Sequence, residues 1–375
     1  MSTHPPPGRT AQPVEHVEAA VFTIPTDLPE GDGTLTWSST TLILARARAG
    51  GLEGLGYTYG AAAAADVITT HLAPVITGQS AFDVPAANEA MTRAVRNAGR
   101  PGLVAGAISA VDIALWDLKA RLLGLPLVAL LGACRAKVPI YGSGGFTTYD
   151  DQQQDRQLRH WCEGQGIPRV KIKIGESWGR EEERDRERVA QARASISEDT
   201  QLFVDANGAY SPKQAVRLAA FLADHDVTWF EEPVSSDDLA GLSHIRAQVT
   251  CDVAAGEYGY TLPYFRHMLA AAAVDCLQAD ATRCGGITVW LRAAALAEAS
   301  CLEISSHCAP HVHAHPAAAV PNLRHVEWFH DHVRVESLLF DGALDPTGGR
   351  LRPPADQRPG HGLTLSAGAE QYRTA

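Results

Sequence analysis

From Lys137 onward the chain alternates between two textures, and that alternation restricts its fold more than any other feature. Short apolar runs occur at VPIYGSG, RVKIKI, QLFVDA, VTWFEEP, CDVAAGE, DCLQAD, LEISSH and RHVEWF. Their centres lie roughly 23 to 32 residues apart, and most intervals hold a helical stretch. Strands of this length separated by helices pair in parallel through right-handed crossovers. Eight such units predict an α/β chain closed into a (β/α) barrel rather than an open sheet. An open dinucleotide-binding sheet is set aside, because the nearest glycine fingerprint, Gly51-x-x-Gly54-x-Gly56, has the wrong order and no helix directly after a buried strand.

Ahead of the barrel, residues 16 to 60 read as strands in EHVEAAVFTI, WSSTTLILARARA and GGLEGLGYTYG, with a polar loop from Pro25 to Thr36. Helical periodicity follows. Val111, Ala114, Leu115, Leu118 and Leu122 form the stripe of an amphipathic helix, which Gly124 and Pro126 should end.

The formal net charge of −11 argues against a sequence-independent nucleic-acid binder, which needs a basic face. Apolar runs such as Leu122 to Cys134 are broken by Gly and Pro and fall short of the roughly 20 residues that span a bilayer. MSTHPPPGRTAQP has no apolar h-region, so a disordered lead is expected there rather than a secretory signal. Seven cysteines, an odd number without a C-x-x-C pair, fit a reduced, cytoplasmic compartment.

In a barrel, reactive side chains stand at the C-terminal strand ends. Here those ends carry Lys171 and Lys173, Asp205 and Asn207, Glu231 and Glu232, Glu257, Asp280, His307 and Glu327. A purely structural barrel has no reason to charge seven successive strand ends. Asp205, Glu231 and Glu257 would repel one another unless a cation neutralised them, and oxygen-only ligands select a hard ion such as Mg²⁺. Lys171 and Lys173, two apart, share the inward face, so each should depress the other's pKa and help one act as a neutral base. By the same alternation Glu232 should point away from Glu231 and act as a structural acid. Asp280 is placed to fix the tautomer of His307, and Glu327 to orient a substrate carboxylate.

These motifs carry a resemblance. VKIKIG, VDANGAY, FEEP, AAGE, QADATRCGGIT and ISSHCAPH, together with AVDIALWDLKARLLGLPL, are similar to the enolase superfamily and, within it, the mandelate racemase subgroup. The resemblance implies an α+β capping domain (16–135) on a modified (β/α)7β barrel (136–335), with a C-terminal segment (336–375) returning to the cap and a disordered lead (1–15). It implies that Asp205, Glu231 and Glu257 hold Mg²⁺, that Lys173 is one base and the His307–Asp280 dyad the other, and that Lys171 assists at the substrate carboxylate. Enzymes of this kind are commonly homo-oligomers. Two departures narrow the choice. Asn207 stands where some sugar-acid dehydratases have a His, which weakens a mannonate- or galactonate-type assignment. Asp280 replaces the Lys of the muconate-lactonising and dipeptide-epimerase subgroup.

A proton alpha to a carboxylate is acidic enough for a side-chain base only if the enolate is stabilised. Lys173 and His307 should flank that carbon. One abstracts the proton; the other returns it (racemisation) or protonates a departing β-hydroxyl (dehydration). The Pro25–Thr36 loop and the Tyr57–Gly60 segment should cover the site. Their polar content favours dehydration of a sugar acid over racemisation of a 2-hydroxy or related acid, with Asn207, Tyr57 and Tyr59, beside Lys171, as the expected substrate contacts. A non-catalytic metal-binding scaffold and a zinc hydrolase remain as other classes. The histidines His311, His313 and His315, followed by Phe329-His330-Asp331-His332, suggest polar lining of the mouth more than a second metal. Gly285-Gly286 could cradle an anion or serve tight packing, and Arg283 could pair with a carboxylate in the mouth. The stretch from Arg180 to Arg193 reads as a solvated helix face.

Overall fold

The computed structural model describes residues 12–354 and 358–375. Residues 1–11 of the expected disordered lead lie outside the described residues. Residues 12–15, expected in the same lead, are docked: Val14 is buried, its N–H donates to Gln79 O (2.8 Å), and Ala81 N–H donates to Gln12 O (2.8 Å).

Three antiparallel strands open the chain: β1 (His16–Gly31), β2 (Thr36–Ala49) and β3 (Leu52–Tyr59), side by side in that order. The loop expected from Pro25 to Thr36 is therefore much shorter. After an irregularity between Pro25 and Glu30, β1 resumes pairing, Glu30 opposite Trp37 and Gly31 opposite Thr36, which leaves only a tip at 32–35. Glu30 Oε2 accepts from Trp37 Nε1 (2.9 Å), which secures the resumed ladder.

The sheet packs on the helix Leu103–Leu122. Close approach needs glycine: a Cβ on Gly54 would lie 2.2 Å from Ala114 O, and one on Gly56 2.2 Å from Ala110 O. Val111, Ala114, Leu115 and Leu118 of the predicted stripe are buried and Leu122 is half-buried, but most of the helix's other positions are buried too, because its second face meets the barrel. There Ser109 Oγ accepts from the N–H groups of Gly285 (2.8 Å) and Gly286 (3.1 Å), and Asp112 Oδ1 accepts from Thr288 N–H (3.0 Å). The Gly285-Gly286 pair thus serves packing: a Cβ on Gly286 would sit 2.1 Å from Asp112 Oδ1. The helix ends as expected, with Gly124 at φ 65° ahead of Pro126.

Eight parallel strands follow: β4 (Val138–Gly144), β5 (Arg169–Lys173), β6 (Gln201–Asp205), β7 (Val227–Glu231), β8 (Asp252–Ala255), β9 (Cys276–Ala279), β10 (Glu303–Ser306) and β11 (Leu323–Phe329). Each pairs with the next, and β11 pairs with β4 to close the ring. Ile172 and Ile174 pack outward in the main hydrophobic core, while Tyr141, Phe203, Trp229 and Cys276 fill the barrel interior. That apolar plug leaves the charged strand ends together at one mouth.

The helix Glu182–Ser195 corrects the solvated reading of its stretch. Arg188 is buried and donates to the carbonyls of Gly145 (2.6 Å), Phe146 (2.8 Å) and Tyr149 (3.1 Å). Asp185, three residues earlier, is also buried and accepts from Gly175 N–H (2.9 Å) and Tyr210 OH (2.6 Å). Both satisfy backbone or hydroxyl groups of the loops around the mouth.

The helix His330–Leu339 leads out of β11, across the expected boundary at 335/336. The chain end then bonds to β1: Val21 N–H donates to Ala375 O (2.7 Å), and Thr374 N–H to Val21 O (2.8 Å). All seven cysteines are free, and among the described residues no helix is long and apolar enough to cross a membrane.

Candidate active site

The ends of β6, β7 and the segment after β8 bring Asp205, Glu231 and Glu257 together. All three are buried, and each offers an oxygen within 4.8 Å of the others. The two lysines of β5 reach into this group. Lys173 Nζ donates to Asp205 Oδ2 at 2.5 Å. Lys171 Nζ donates to Glu231 Oε1 and lies 2.8 Å from Glu327 Oε1 and 3.5 Å from Asp205 Oδ2.

The electrostatics differ from expectation. Burial pulls both lysines down, and Lys171 adds a downward push on Lys173, as expected of neighbouring ammoniums. The carboxylates outweigh these effects, so both lysines end above their ordinary value: Glu231 and Glu327 act on Lys171, and Asp205 on Lys173. Burial, only partly offset by Lys171 and reinforced by Asp205, pushes Glu231 up to about 8. Negative charge here exceeds what the two lysines neutralise.

Across the mouth, His307 Nδ1 lies 2.8 Å from Asp280 Oδ2. Asp280 Oδ1 accepts from Thr282 N–H (2.6 Å) and Thr282 Oγ1 (2.7 Å). Burial would raise Asp280, but the hydrogen bond and charge of His307 hold it below its ordinary value. Because Asp280 remains a carboxylate acceptor, Nδ1 carries the proton and Nε2 is left to face Glu257 Oε2 (3.4 Å). Burial lowers His307, yet Glu257, with Glu327 and Asp280, leaves it net raised. Glu327 also accepts from Cys308 N–H (2.9 Å). Arg283 sits where its spacing from Asp280 suggested, donating from Nη1 to Glu257 Oε1 (3.0 Å).

Of these groups Lys173, Glu257, Arg283 and His307, with Asn207, form the barrel side of a cavity of about 380 Å³ between barrel and cap, and the other carboxylates and Lys171 lie buried behind them. Asn207 adopts φ 46°, and its N–H donates to Asp205 Oδ1 (2.9 Å). Tyr59 contributes to the wall: its ring stacks on His332 (3.5 Å between centroids), and its hydroxyl donates to Glu336 Oε1 (3.0 Å). Tyr57 does not line the cavity. It lies one alternation further from the open end of β3, fully buried, with its ring stacked on Phe340 (5.2 Å), so the expected substrate contact is corrected to a packing role.

Glu232 corrects another expectation. Its φ of 39° breaks strand alternation, so it lines a second, adjoining cavity of about 510 Å³ at the mouth. Burial, then Glu257 and Asp205, raise it well above its ordinary value.

The histidine run is also reassigned. His311, His313 and His315 lie buried on the helix Pro310–Ala319. His313 Nδ1 donates to Cys308 O (2.8 Å) and its Nε2 accepts from Ala281 N–H (2.8 Å). His311 Nδ1 accepts from Leu344 N–H (3.0 Å), and His315 Nε2 donates to His361 O (3.0 Å). Burial pulls all three below their ordinary value, which suits neutral rings that pair backbone groups. None of them lines the mouth. Nearer the site, His307, Cys308 and Glu327 offer three donor atoms within 4.8 Å, but His307 Nδ1 and Glu327 already have partners in Asp280 and Lys171, and burial with Glu327 raises the Cys308 thiol.

Asp331 and His332, the second part of the histidine-rich run expected to line the mouth, do line the cavity, but sequence reasoning missed Trp37, Ser39 and Thr40 of β2. For β2 there was no signal, because a strand pattern does not say which end meets another domain.

The chain matches two family descriptions: "Mandelate racemase / muconate lactonizing enzyme, N-terminal domain" over residues 17–132, and "Enolase C-terminal domain-like" over residues 154–369. A mandelate racemase/muconate lactonizing enzyme-like protein from Rubrobacter xylanophilus superposes with a TM-score of 0.93 at 51% identity, over 96% of this chain and 100% of that one. A racemase from Streptomyces coelicolor A3(2), solved with bound magnesium, has a TM-score of 0.90 at 30% identity over 96% of this chain and 100% of that one. The L-talarate/galactarate dehydratase of Salmonella typhimurium is 29% identical over 376 residues, covering 97% of this chain and 92% of that protein.

Proposed function

Since the chain belongs to the mandelate racemase/muconate lactonizing enzyme family of the enolase superfamily, we propose that it is a Mg²⁺-dependent lyase that dehydrates a sugar acid to a 2-keto-3-deoxy acid. One observation carries the reading: Lys173, an Asp-held His307 and Glu257, the last belonging to a cluster of three buried carboxylates, line one cavity.

The residues present fit a hard divalent cation. The donors are three buried carboxylates, Glu257 Oε2 has no hydrogen-bond partner, and the group's charge exceeds that of the lysines beside it. Asp205, Glu231 and Glu257 would hold Mg²⁺, as the magnesium-bound racemase relative supports. When bound, the ion would stabilise charge that builds on the substrate carboxylate and neutralise the carboxylates that keep Lys173 protonated.

The chain's own groups divide the rest. Lys171, held between Glu231 and Glu327, positions the substrate carboxylate. Lys173 Nζ takes the proton from the alpha carbon. His307, its imidazolium held by Asp280, delivers the Nε2 proton to the departing β-hydroxyl, which leaves as water, and the resulting enol becomes the 2-keto acid. Asp280 keeps the Nδ1 proton in place so that Nε2 is the reacting atom.

Racemisation is the second reading. Lys173 and His307 come from strands on different parts of the ring and both line the cavity, the arrangement two-base proton transfer requires. A sugar-acid screen with Mg²⁺ in D₂O separates the two. Keto product that disappears in Lys173→Ala and His307→Asn supports dehydration. Alpha-deuterium without keto product means racemisation or epimerisation, and neither signal across a broad acid panel would leave a non-catalytic scaffold.

A further inference from the structure

We propose that the substrate is a monocarboxylic sugar acid with an uncharged far end, and that the cap-side wall rejects dicarboxylic sugar acids. This inference rests on the dehydratase reading, since it takes the reacting carboxylate to lie against Lys171 and Lys173.

With that end fixed at the barrel, the rest of the substrate runs toward the cap. The wall it meets is built from Asp32, Trp37, Ser39 and Thr40 of the cap, with Asp331 and His332 beyond β11. It presents hydroxyls, an indole and two carboxylates, and among the described residues it includes neither Lys nor Arg.

Cations nearby are already committed. Arg334 Nη2 lies 3.0 Å from Asp331 Oδ1, and His330 Nε2 lies 3.1 Å from Asp27 Oδ2. Arg283 is spent on Glu257 and stacks over Tyr258 on the barrel side. His332 is stacked on Tyr59, and burial holds it neutral. A tail that turned into the adjoining 510 Å³ cavity would find neither Lys nor Arg in its lining, and one that turned past Tyr59 and Gly60 would meet only Arg283, already bonded to Glu257.

A second carboxylate would therefore lose its water, find no uncommitted Lys or Arg and face the carboxylate of Asp32, while Asp331 is already paired with Arg334. A terminal hydroxyl fits, because it can donate to a carboxylate and accept from Ser39 or Thr40.

The test is a panel of aldonates and the aldarates matched to them in configuration, assayed with Mg²⁺ for 2-keto acid and for alpha-proton exchange. The proposal expects the best aldonate to exceed its matched aldarate in kcat/KM by at least about 100-fold. Two variants then change the wall alone. Asp32→Asn keeps the Oδ1 acceptor that holds Thr34 N–H (2.6 Å) and Leu35 N–H (2.8 Å), and Ser39→Arg adds a cation at an exposed position. Each should move the preference toward the aldarate by about tenfold or more. Aldarates used as well as aldonates, with activity still lost in Lys173→Ala, would overturn the proposal and leave the dehydratase reading intact. Turnover and exchange absent for both classes would overturn the dehydratase reading, and the proposal with it.

Discussion

Asp280→Asn tests the dyad with little disturbance to the fold. An asparagine carbonyl at Oδ1 would keep both Thr282 bonds, at 2.6 and 2.7 Å, so the buried loop retains its partners. What changes is the 2.8 Å contact to His307 Nδ1. An amide nitrogen there donates, which forces Nδ1 to become the acceptor and moves the single proton of neutral imidazole to Nε2. Loss of the charge-assisted bond alone costs about 1.5–3 kcal/mol, a factor of about 10–150 in holding the imidazolium. The inverted tautomer adds to this, so kcat for dehydration should fall by about 10³- to 10⁴-fold. Exchange of the alpha proton should survive far better, because Lys173 performs it on the other side of the cavity. The assay is keto-acid formation and deuterium incorporation followed across pH, beside a thermal melt showing a folded variant. A folded variant whose kcat stays within about tenfold of the parent would refute the positioning role of Asp280. Equal loss of exchange and dehydration would instead assign proton abstraction to His307.

Chelation with EDTA should abolish turnover and Mg²⁺ should restore it. At about 100 times its Kd the ion should add about 2.7 kcal/mol to unfolding stability, read as a shift in thermal midpoint. Asp117→Ala should destabilise the chain by about 3–5 kcal/mol in denaturant unfolding without touching the site, because it strands a buried network. Asp117 accepts from Arg121 Nε (2.7 Å), Leu55 N–H (2.9 Å) and His361 N–H (2.8 Å). Glu30 gives a pH prediction. Burial, with help from Asp331, raises it from 4.5 to about 9. The folded state therefore binds more protons than the unfolded state between those values, and this contribution is present at low pH and lost as pH rises toward 9. Glu30→Gln should flatten that decline, making the variant relatively more stable at pH 8–9 than at pH 5 in urea titrations.

The barrel and its charged mouth were legible because two periodicities coincide there. Strand spacing located each end, and alternation placed Lys171 beside Lys173 and opposite Ile172. The misreadings came where local backbone departs from that period. At Glu232 a positive φ swings the side chain back to the mouth, which no alternation rule anticipates. Tyr57 and Tyr59 share a face, but depth beneath the cap separates a packing ring from a wall residue, and depth depends on a neighbouring domain. Arg188 and His313 looked like surface or lining groups. What buries them is a demand for partners from distant carbonyls and N–H groups, visible only once the loops are folded.

Chemistry and selectivity come from different parts of the chain, and the contacts between them explain how both can be held. The groups proposed to move protons all stand on barrel strand ends, whose positions are fixed by the ring. The cap reaches the same cavity through the 32–35 tip, and that tip is docked chiefly by its backbone: Thr147 N–H donates to Gly31 O (2.8 Å), Thr147 Oγ1 to Asp32 O (2.7 Å) and Thr148 Oγ1 to Pro29 O (2.6 Å). Gly33 meets the barrel closely enough that a Cβ would lie 2.6 Å from the carbonyls of Ile174 and Gly175. Main-chain docking of this kind leaves the exposed Ser39 free to vary without moving the tip. Asp32 Oδ1, by contrast, also holds the tip's own Thr34 N–H (2.6 Å) and Leu35 N–H (2.8 Å), bonds that an Asp32→Asn change would keep. A change at the proposed far-end wall therefore need not disturb Lys173 or His307, so on that proposal substrate preference can change at the wall while the strand ends stay as they are.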